Sequence, residues 1–307
     1  MHTINANGVS ISVSRGIVKF GYFYDEDWLE KKSLVDPEII IQHLKDNKDK
    51  VDIFVFSQRL PDTVPKYPYY MEWDNVAVVP VIDYQEWWSK RLPQVTRKNV
   101  RRSKKRGVVV KVVDYDDEFV KGIVKIYNES PVRQGRAFWH YGKDFETVKR
   151  INSSYLKRSD FLGAYYKEEL IGFLKLVYIE NVARIMQIIS MSKHNDKRTT
   201  NALIAKAVEV CDERDMDYLI YGKYIYGKNT RSSVIEFKRR NGFEMVEFPT
   251  YYVPLNVKGG VVLKLKLHHG IIGLMPDKTY WLMQQVRAKW YGKVLKSIYC
   301  DDTKVSD

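Results

Sequence analysis

The stretch that most constrains this chain is residues 183–226, ARIMQIISMSKHNDKRTTNALIAKAVEVCDERDMDYLIYGKYIY. ARIMQIISM is a β-prone run that can be buried on both faces. Leu203, Ile204, Ala207, Val208 and Cys211 then recur on one face of a helix, with Lys206, Glu209 and Glu213 left to water. DYLIYGKYIY reads as a second strand, rich in Tyr and Ile. Two strands joined by a helix run parallel through a right-handed crossover. The turn SKHNDKRTTN therefore opens at the carboxyl edge of a strand and the amino end of a helix. Free amides and the helix dipole point there, and Lys193, Lys197 and Arg198 add positive charge. The turn reads either as a seat for phosphate or pyrophosphate or as a solvated basic turn.

The net charge of +13 and the pI near 9.4 imply an anionic partner. Nucleic acid, a membrane surface and phosphate-bearing small molecules all satisfy it. No apolar run approaches the roughly 20 residues needed to cross a bilayer, so membrane insertion is not expected. MHTINANGVSISV lacks a basic region followed by an apolar block and reads as no signal peptide. Cys211 and Cys300, far apart, read as reduced thiols of a cytoplasmic protein. His194, His268 and His269 have no metal-type partners at suitable spacing, so no metal is expected.

Before this stretch, VSISVSRGIVKFGYF offers one or two strands, and DPEIIIQHLKDN a helix with Asp36 as N-cap and Pro37 at its first position. VDIFVFSQRL and NVAVVPVI read as two more strands. Residues 84–107 form a helical connector broken near Pro93, in which seven of the ten residues of RKNVRRSKKR are basic. Clustered cations mark phosphate binding. No aromatic residues interleave for base stacking, however, so a solvated helix face or small-anion binding is the competing reading. GVVVKVVDY is a strand. DDEFVKGIVKIYNES is a helix with Phe119, Ile123 and Ile126 inward and Val124 and Tyr127 alongside. It runs into NESPVRQGRAFWHYGK, a loop dense in groups that orient an anionic or polar substrate; capping and closure of a core edge are the alternative. A helix, FETVKRINSSYLKR, and a meander through Phe161–Tyr166 and Leu170–Tyr178 lead back to the first strand. After Tyr226 come a short helix ending at Gly242 and three β-prone runs, FEMVEF, YYVPLNV and VVLKLKLHH. A last amphipathic helix carries Trp281, Leu282, Val286, Trp290 and Val294 as its packing face.

An antiparallel meander, a phosphate-type turn opening a helix, a parallel strand, a short helix ending in GF and closing strands follow a recognisable order. RKNVRRSKKRGVVV, NESPVRQGRAFWHYGK and EFKRRNGF carry it. The chain resembles the Gcn5-related N-acetyltransferase (GNAT) superfamily, and more closely its Fem-type branch with two such folds. The resemblance implies an α/β mixed-sheet, GNAT-like acyl-CoA N-acyltransferase fold. It would comprise a smaller degenerate unit over 1–95, the basic connector 96–107, the acyltransferase domain 108–268 and a helical tail 269–307. It implies that the strand Ala183–Met191 splays from the strand Tyr218–Tyr226, with the thioester arm in the gap. Ile189, Ser190 and Met191 would line that arm, and Lys197, Arg198, Thr199, Thr200, Asn201 and Ala202 would hold the pyrophosphate. Arg198 and Thr200 occupy positions where the family carries glycines, and the hydroxyls and amide of Thr199, Thr200 and Asn201 are substitute donors.

Many members place a tyrosine acid on the last helix; this chain has Lys238 there. A lysine beside a phenylalanine in that helix is typical of the Fem-type branch, where its charge stabilises the acyl-transfer oxyanion. Lys238 is therefore the candidate stabiliser, or else a surface cation among Arg239 and Arg240. His140 is the candidate general base by its ordinary pKa, or else a satisfied core histidine. Tyr224 or Tyr226 would donate the leaving-group proton. Arg133 and Arg136 would hold a phosphate or carboxylate of the acceptor, with Asn128, Tyr141 and Gln187 completing the acceptor site. Three functions follow: an acyltransferase moving an acyl group, in the first instance acetyl, from acyl-CoA to an amine of a small molecule, amino sugar or peptide; a Fem-like transferase drawing aminoacyl groups from tRNA; or a non-catalytic nucleic-acid binder on a degenerate scaffold.

Overall fold

A computed structural model describes residues 2–23, 36–46, 51–133, 136–227 and 232–270, with single positions at 279, 282, 283 and 286. Gln134, Gly135, Cys300 and most of the predicted C-terminal helix, Trp281, Trp290 and Val294 among it, lie outside the described residues. Leu282 and Val286, expected on its packing face, are exposed.

In chain order the elements are β1 (His2–Ala6), β2 (Val9–Val13), β3 (Phe20–Phe23), α1 (Pro37–Asp46), β4 (Ile53–Ser57) and β5 (Tyr70–Pro80). The connector follows as α2 (Tyr84–Glu86), a π-turn through Arg91, and α3 (Gln94–Lys105), broken at Pro93 as predicted. Then come β6 (Val108–Val113), α4 (Asp117–Tyr127), the two-residue strands β7 (Val132–Arg133) and β8 (Arg136–Ala137), and α5 (Phe145–Asn152). The meander β9 (Ser159–Tyr166), β10 (Glu169–Ile179) and β11 (Val182–Ser190) leads to α6 (Thr199–Glu213) and β12 (Tyr218–Ile220). The chain closes with α7 (Ser233–Arg240), β13 (Glu244–Pro254) and α8 (Val257–Lys264).

The chain divides into two compact units. The first holds residues 1–76, 222–225 and 245–276; the second holds 77–221, 226–244 and 277–307.

In the first unit the strand order is β1-β2-β3-β4-β13. β1 is a strand that the sequence reading left out. Asn7 and Gly8 both adopt positive φ between it and β2, the conformation an Asn-Gly hairpin turn requires. Phe54 and Phe56 of β4 join a core with Ile40, Ile41 and Leu44 of α1, while the alternating Ile53 and Val55 join Val262 and Leu263 of α8. β4 is thus apolar on both faces, and each face needs a cover. That need corrects two expectations. VVLKLKLHH is not a strand: Val257–Lys264 is helical, started by Asn256, whose side chain accepts from the Gly259 amide. FEMVEF and YYVPLNV are not two strands but the single β13.

The second unit has the order β5-β12-β11-β10-β9-β6, a mixed sheet. β6, β9, β10 and β11 are antiparallel, and β11 pairs parallel to β12. α4 buries Phe119, Val120, Ile123, Ile126 and Tyr127, each worth roughly 1.5–3 kcal/mol on removal from water. Gly122 permits its close approach to β10, since a Cβ there would stand 2.6 Å from Leu170 Cδ2. α6 buries the predicted Leu203, Ile204, Ala207, Val208 and Cys211, but also Ala202, Ala205 and Val210. It is apolar well beyond one stripe because α3 and the sheet both contact it.

Candidate functional site

The site grows from the way β11 and β12 part. Val182, Ala183 and Arg184 pair with Tyr218, Leu219 and Ile220, and there the parallel ladder stops, although β11 runs on to Ser190. The expected second strand through Tyr226 is corrected to three residues. Gly222 and Gly227 turn with positive φ, so the Tyr and Ile that suggested a strand lie in irregular chain. Tyr224 and Tyr226 therefore do not stand on a strand end; Tyr226 is exposed and Tyr224 belongs to the first unit.

Lys238 stands where the ladder ends. Its side chain is 1% exposed, which corrects the surface-cation alternative. Nζ donates to the Tyr221 carbonyl at 2.7 Å and lies 4.8 and 5.0 Å from the Tyr221 and Tyr226 ring centres. Burial, and then the charge of Arg184, lower its pKa to about 8. α7 holds it there. Ser232 caps the helix by accepting from the Ile235 amide, and Gly242 ends it with positive φ, against the Trp87 indole.

Past Ser190 the turn 192–197 is a 3-10 helix, and Arg198 enters α6 with φ 56° and ψ 35°. This is the left-handed conformation that glycine adopts without strain, here held by arginine. A cavity of about 510 Å³ opens at the α6 amino terminus, between α3 and α7. Ser190, Arg198, Thr199, Thr200 and Asn201 line it, as do Asn99, Phe237 and Arg240. Lys238 is not among its lining residues. Ser190 Oγ and Thr200 Oγ1 are 3.0 Å apart, Asn201 donates to Asn241 Oδ1, and the buried Thr199 Oγ1 has no partner among the described residues. Gly172 keeps the approach tight, because a Cβ there would meet Thr199 Cγ2 at 2.8 Å. Ile189 lies on β11, while Met191 and Ala202 are buried beside the cavity rather than lining it. Lys197 turns away, its Nζ 3.9 Å from the centre of the Tyr166 ring.

Glu129 is a residue the sequence reading missed. Its carboxylate accepts the Ser192 and Lys193 amides at 2.7 Å each and pairs with Arg133 at 3.1 Å. Arg133 also donates to the Ser190 and Ile126 carbonyls, both at 2.8 Å. That commits the guanidinium inward, so Arg133 is corrected from an acceptor clamp to a brace that fixes the end of β11. Asn128 is likewise committed to the Gly142 amide and the Lys143 carbonyl. Arg136 and Tyr141 remain exposed.

His140 is 7% exposed, with its ring 4.2 Å from that of Tyr127 and 4.1 Å from that of Trp139. Burial, then Lys143 and Arg133, lower its pKa to about 4. Gln187 links it to the Tyr127 hydroxyl, which Asn152 also reaches. Lys175, opposite Gln187 across the β10–β11 ladder, is buried and donates to the Asn152 and Ser154 carbonyls. A charged residue inside a strand pattern was the signal for it. In the first unit, Glu72, His268 and His269 bring three metal-ligating atoms together. Residue spacing does not reveal this group, because Glu72 lies 196 residues before His268.

No protein-family model matches the chain, and no curated protein matches it in sequence. Among solved structures it is similar to FemX, with a TM-score of 0.58 and 9% identity over 86% of this chain and 89% of that one. It is similar to the C-terminal domain of a putative lysylphosphatidylglycerol synthetase from Agrobacterium fabrum, at 0.56 and 11% over 87% and 88%. It is similar also to L-PGS from Bacillus licheniformis, at 0.54 and 14% over 86% of each chain. The chain shares the mixed α/β fold of these three structures.

Proposed function

We propose that the protein is an acyltransferase that moves an acyl group, in the first instance acetyl, from an acyl-CoA to an amine of a small molecule, amino sugar or peptide. The observation that carries this reading is the buried ammonium of Lys238 at the point where β11 and β12 part. The neutral amine attacks the thioester carbonyl, a C–N bond forms, and the C–S bond breaks as the tetrahedral oxyanion collapses. Lys238 meets the oxyanion's charge in a water-poor setting, where one such donor is worth roughly 3–4 kcal/mol. The amine nitrogen gives up one proton and the thiolate takes one. With its low pKa, His140 serves as a hydrogen-bond acceptor that orients Gln187 rather than as a proton store. Tyr226 is the candidate proton donor to the thiolate. The diphosphate of the donor lies in the cavity at the start of α6, where the helix dipole, Arg198 and the Thr199 and Thr200 hydroxyls favour an anion.

One observation favours a second reading, aminoacyl transfer from tRNA. α3 flanks that cavity with Asn99 and exposes Lys98, Arg101, Arg102, Lys104 and Lys105, a surface that suits a longer polyanion. Thermal stabilisation by acetyl-CoA and by charged tRNA, added separately, distinguishes the two. Stabilisation by neither donor, with no acyl product by mass spectrometry, overturns both.

A further inference from the structure

We propose that Glu72, His268 and His269 form a binding site for a divalent transition-metal ion of the zinc class. Glu72 sits on β5, and the histidines sit on the 3-10 turn that follows α8, all within the first unit. His268 Nε2 lies 3.0 Å from Glu72 Oε1; His269 Nε2 lies 3.0 Å from the same oxygen and 2.9 Å from Oε2. All three ligand atoms fall within 4.8 Å of one another. Bonds of ~2.0–2.1 Å in a tetrahedron set ligand atoms about 3.3 Å apart, so small side-chain rotations open the cluster enough to admit an ion.

The alternative is an ion pair between Glu72 and protonated histidines. Two imidazolium rings with centres 4.0 Å apart would repel each other across a single carboxylate. One dication meets both ring nitrogens and the carboxylate at once. Two imidazoles and one carboxylate suit zinc, cobalt or nickel, not magnesium or calcium, which take oxygen ligands. The side chain of His268 is fully buried and holds one ligand in place, while His269 is 44% exposed and leaves water access to the remaining coordination position. The Tyr70 hydroxyl donates to Glu72 Oε1 at 2.8 Å, the outer hydrogen bond that orients a ligating carboxylate. His268 Nδ1 has no such partner among the described residues, so the site is expected to bind in the micromolar range rather than as tightly as a structural zinc site. A bound ion would tie the turn after α8 to β5.

The test uses the full chain, treated with chelator and titrated with Zn²⁺ by calorimetry and with Co²⁺ by visible absorption. Saturable uptake of one equivalent, a cobalt spectrum of low coordination number and a rise in melting temperature with Zn²⁺ are expected. His269→Ala, at the exposed ligand, should weaken uptake at least about tenfold with the metal-free far-ultraviolet spectrum unchanged; Glu72→Gln is the second variant should the first fail to fold. No uptake at millimolar metal, or undiminished uptake by the folded variants, overturns the proposal and leaves a histidine–carboxylate ion pair only.

Discussion

Lys238 Nζ lies 2.7 Å from the Tyr221 carbonyl, and Tyr221 is the first residue beyond the last β11–β12 pair, Arg184 with Ile220. Replacing this ammonium by a methionine of similar length keeps the packing and removes the charge. Lys238→Met should lower kcat about 10²–10³-fold, while the lost hydrogen bond costs roughly 1–3 kcal/mol in a urea melt. Wild-type activity should fall as pH rises through about 8, where the ammonium is lost. Stability runs the other way. The folded state disfavours the charge, so between about 8 and the ordinary 10.5 the unfolded chain holds the extra proton, and this group's contribution rises with pH. Lys238→Arg stays charged and should carry whatever rate it retains to higher pH. Full turnover in Lys238→Met removes the residue from the chemistry.

His140 should stay neutral at any pH well above 4. Its pKa is lowered from 6.5 to about 4, so across that window the unfolded chain takes up a proton that the folded one refuses. The stability held by the neutral ring is then lost as pH falls from 6.5 toward 4. His140→Phe, set among Tyr127, Phe138 and Trp139, should flatten the acid side of a plot of melting temperature against pH. A ring resonance titrating near 6.5 in the folded protein would contradict this placement.

Arg133→Ala leaves the Glu129 carboxylate without its cation and the Ser190 and Ile126 carbonyls without their donor. Both side chains of the pair are largely shielded, and the expected loss is about 2–4 kcal/mol by denaturant titration. Arg133→Lys should recover only part of it, because one ammonium cannot reproduce the planar fork. Since Arg133 fixes the end of β11, the donor KM should rise more than the acceptor KM. An effect on the acceptor alone would restore the clamp role expected from sequence.

Arg198→Gly relieves a left-handed residue but loosens the unfolded chain. The net change in stability should lie between none and about 1 kcal/mol of gain. Donor affinity should nevertheless fall severalfold, with a shallower dependence on salt, because Arg198 is a cation in the cavity lining. Unchanged affinity and salt slope would show that the side chain does not meet the donor's phosphates.

The elements read best from sequence are those whose own pattern decides them. α4 and α6 bury the residues their periodicity named, and Pro93 breaks the connector where proline dictates. VVLKLKLHH misled because its alternation has the period of a strand, whereas the apolar second face of β4 required a helical cover. DYLIYGKYIY misled because Tyr and Ile favour strands in general, and the turn at Gly222 cuts this one short. Within the candidate site, the positions of Lys238 on the short helix and of Arg198–Asn201 at the start of α6 were legible because local order places them. The inward commitment of Arg133 was not, since its partner carbonyl at Ser190 lies 57 residues away. Glu129 and Glu72 were missed for the same reason: their partners are close only after folding.

The left-handed bend at Arg198 bears on how this corner can be altered. A bulky residue keeps that conformation only where the neighbouring strand and helix impose it. Charge at the cavity mouth and the outline of the mouth are then separable: an exchange at this position rewrites the first and leaves the second in place.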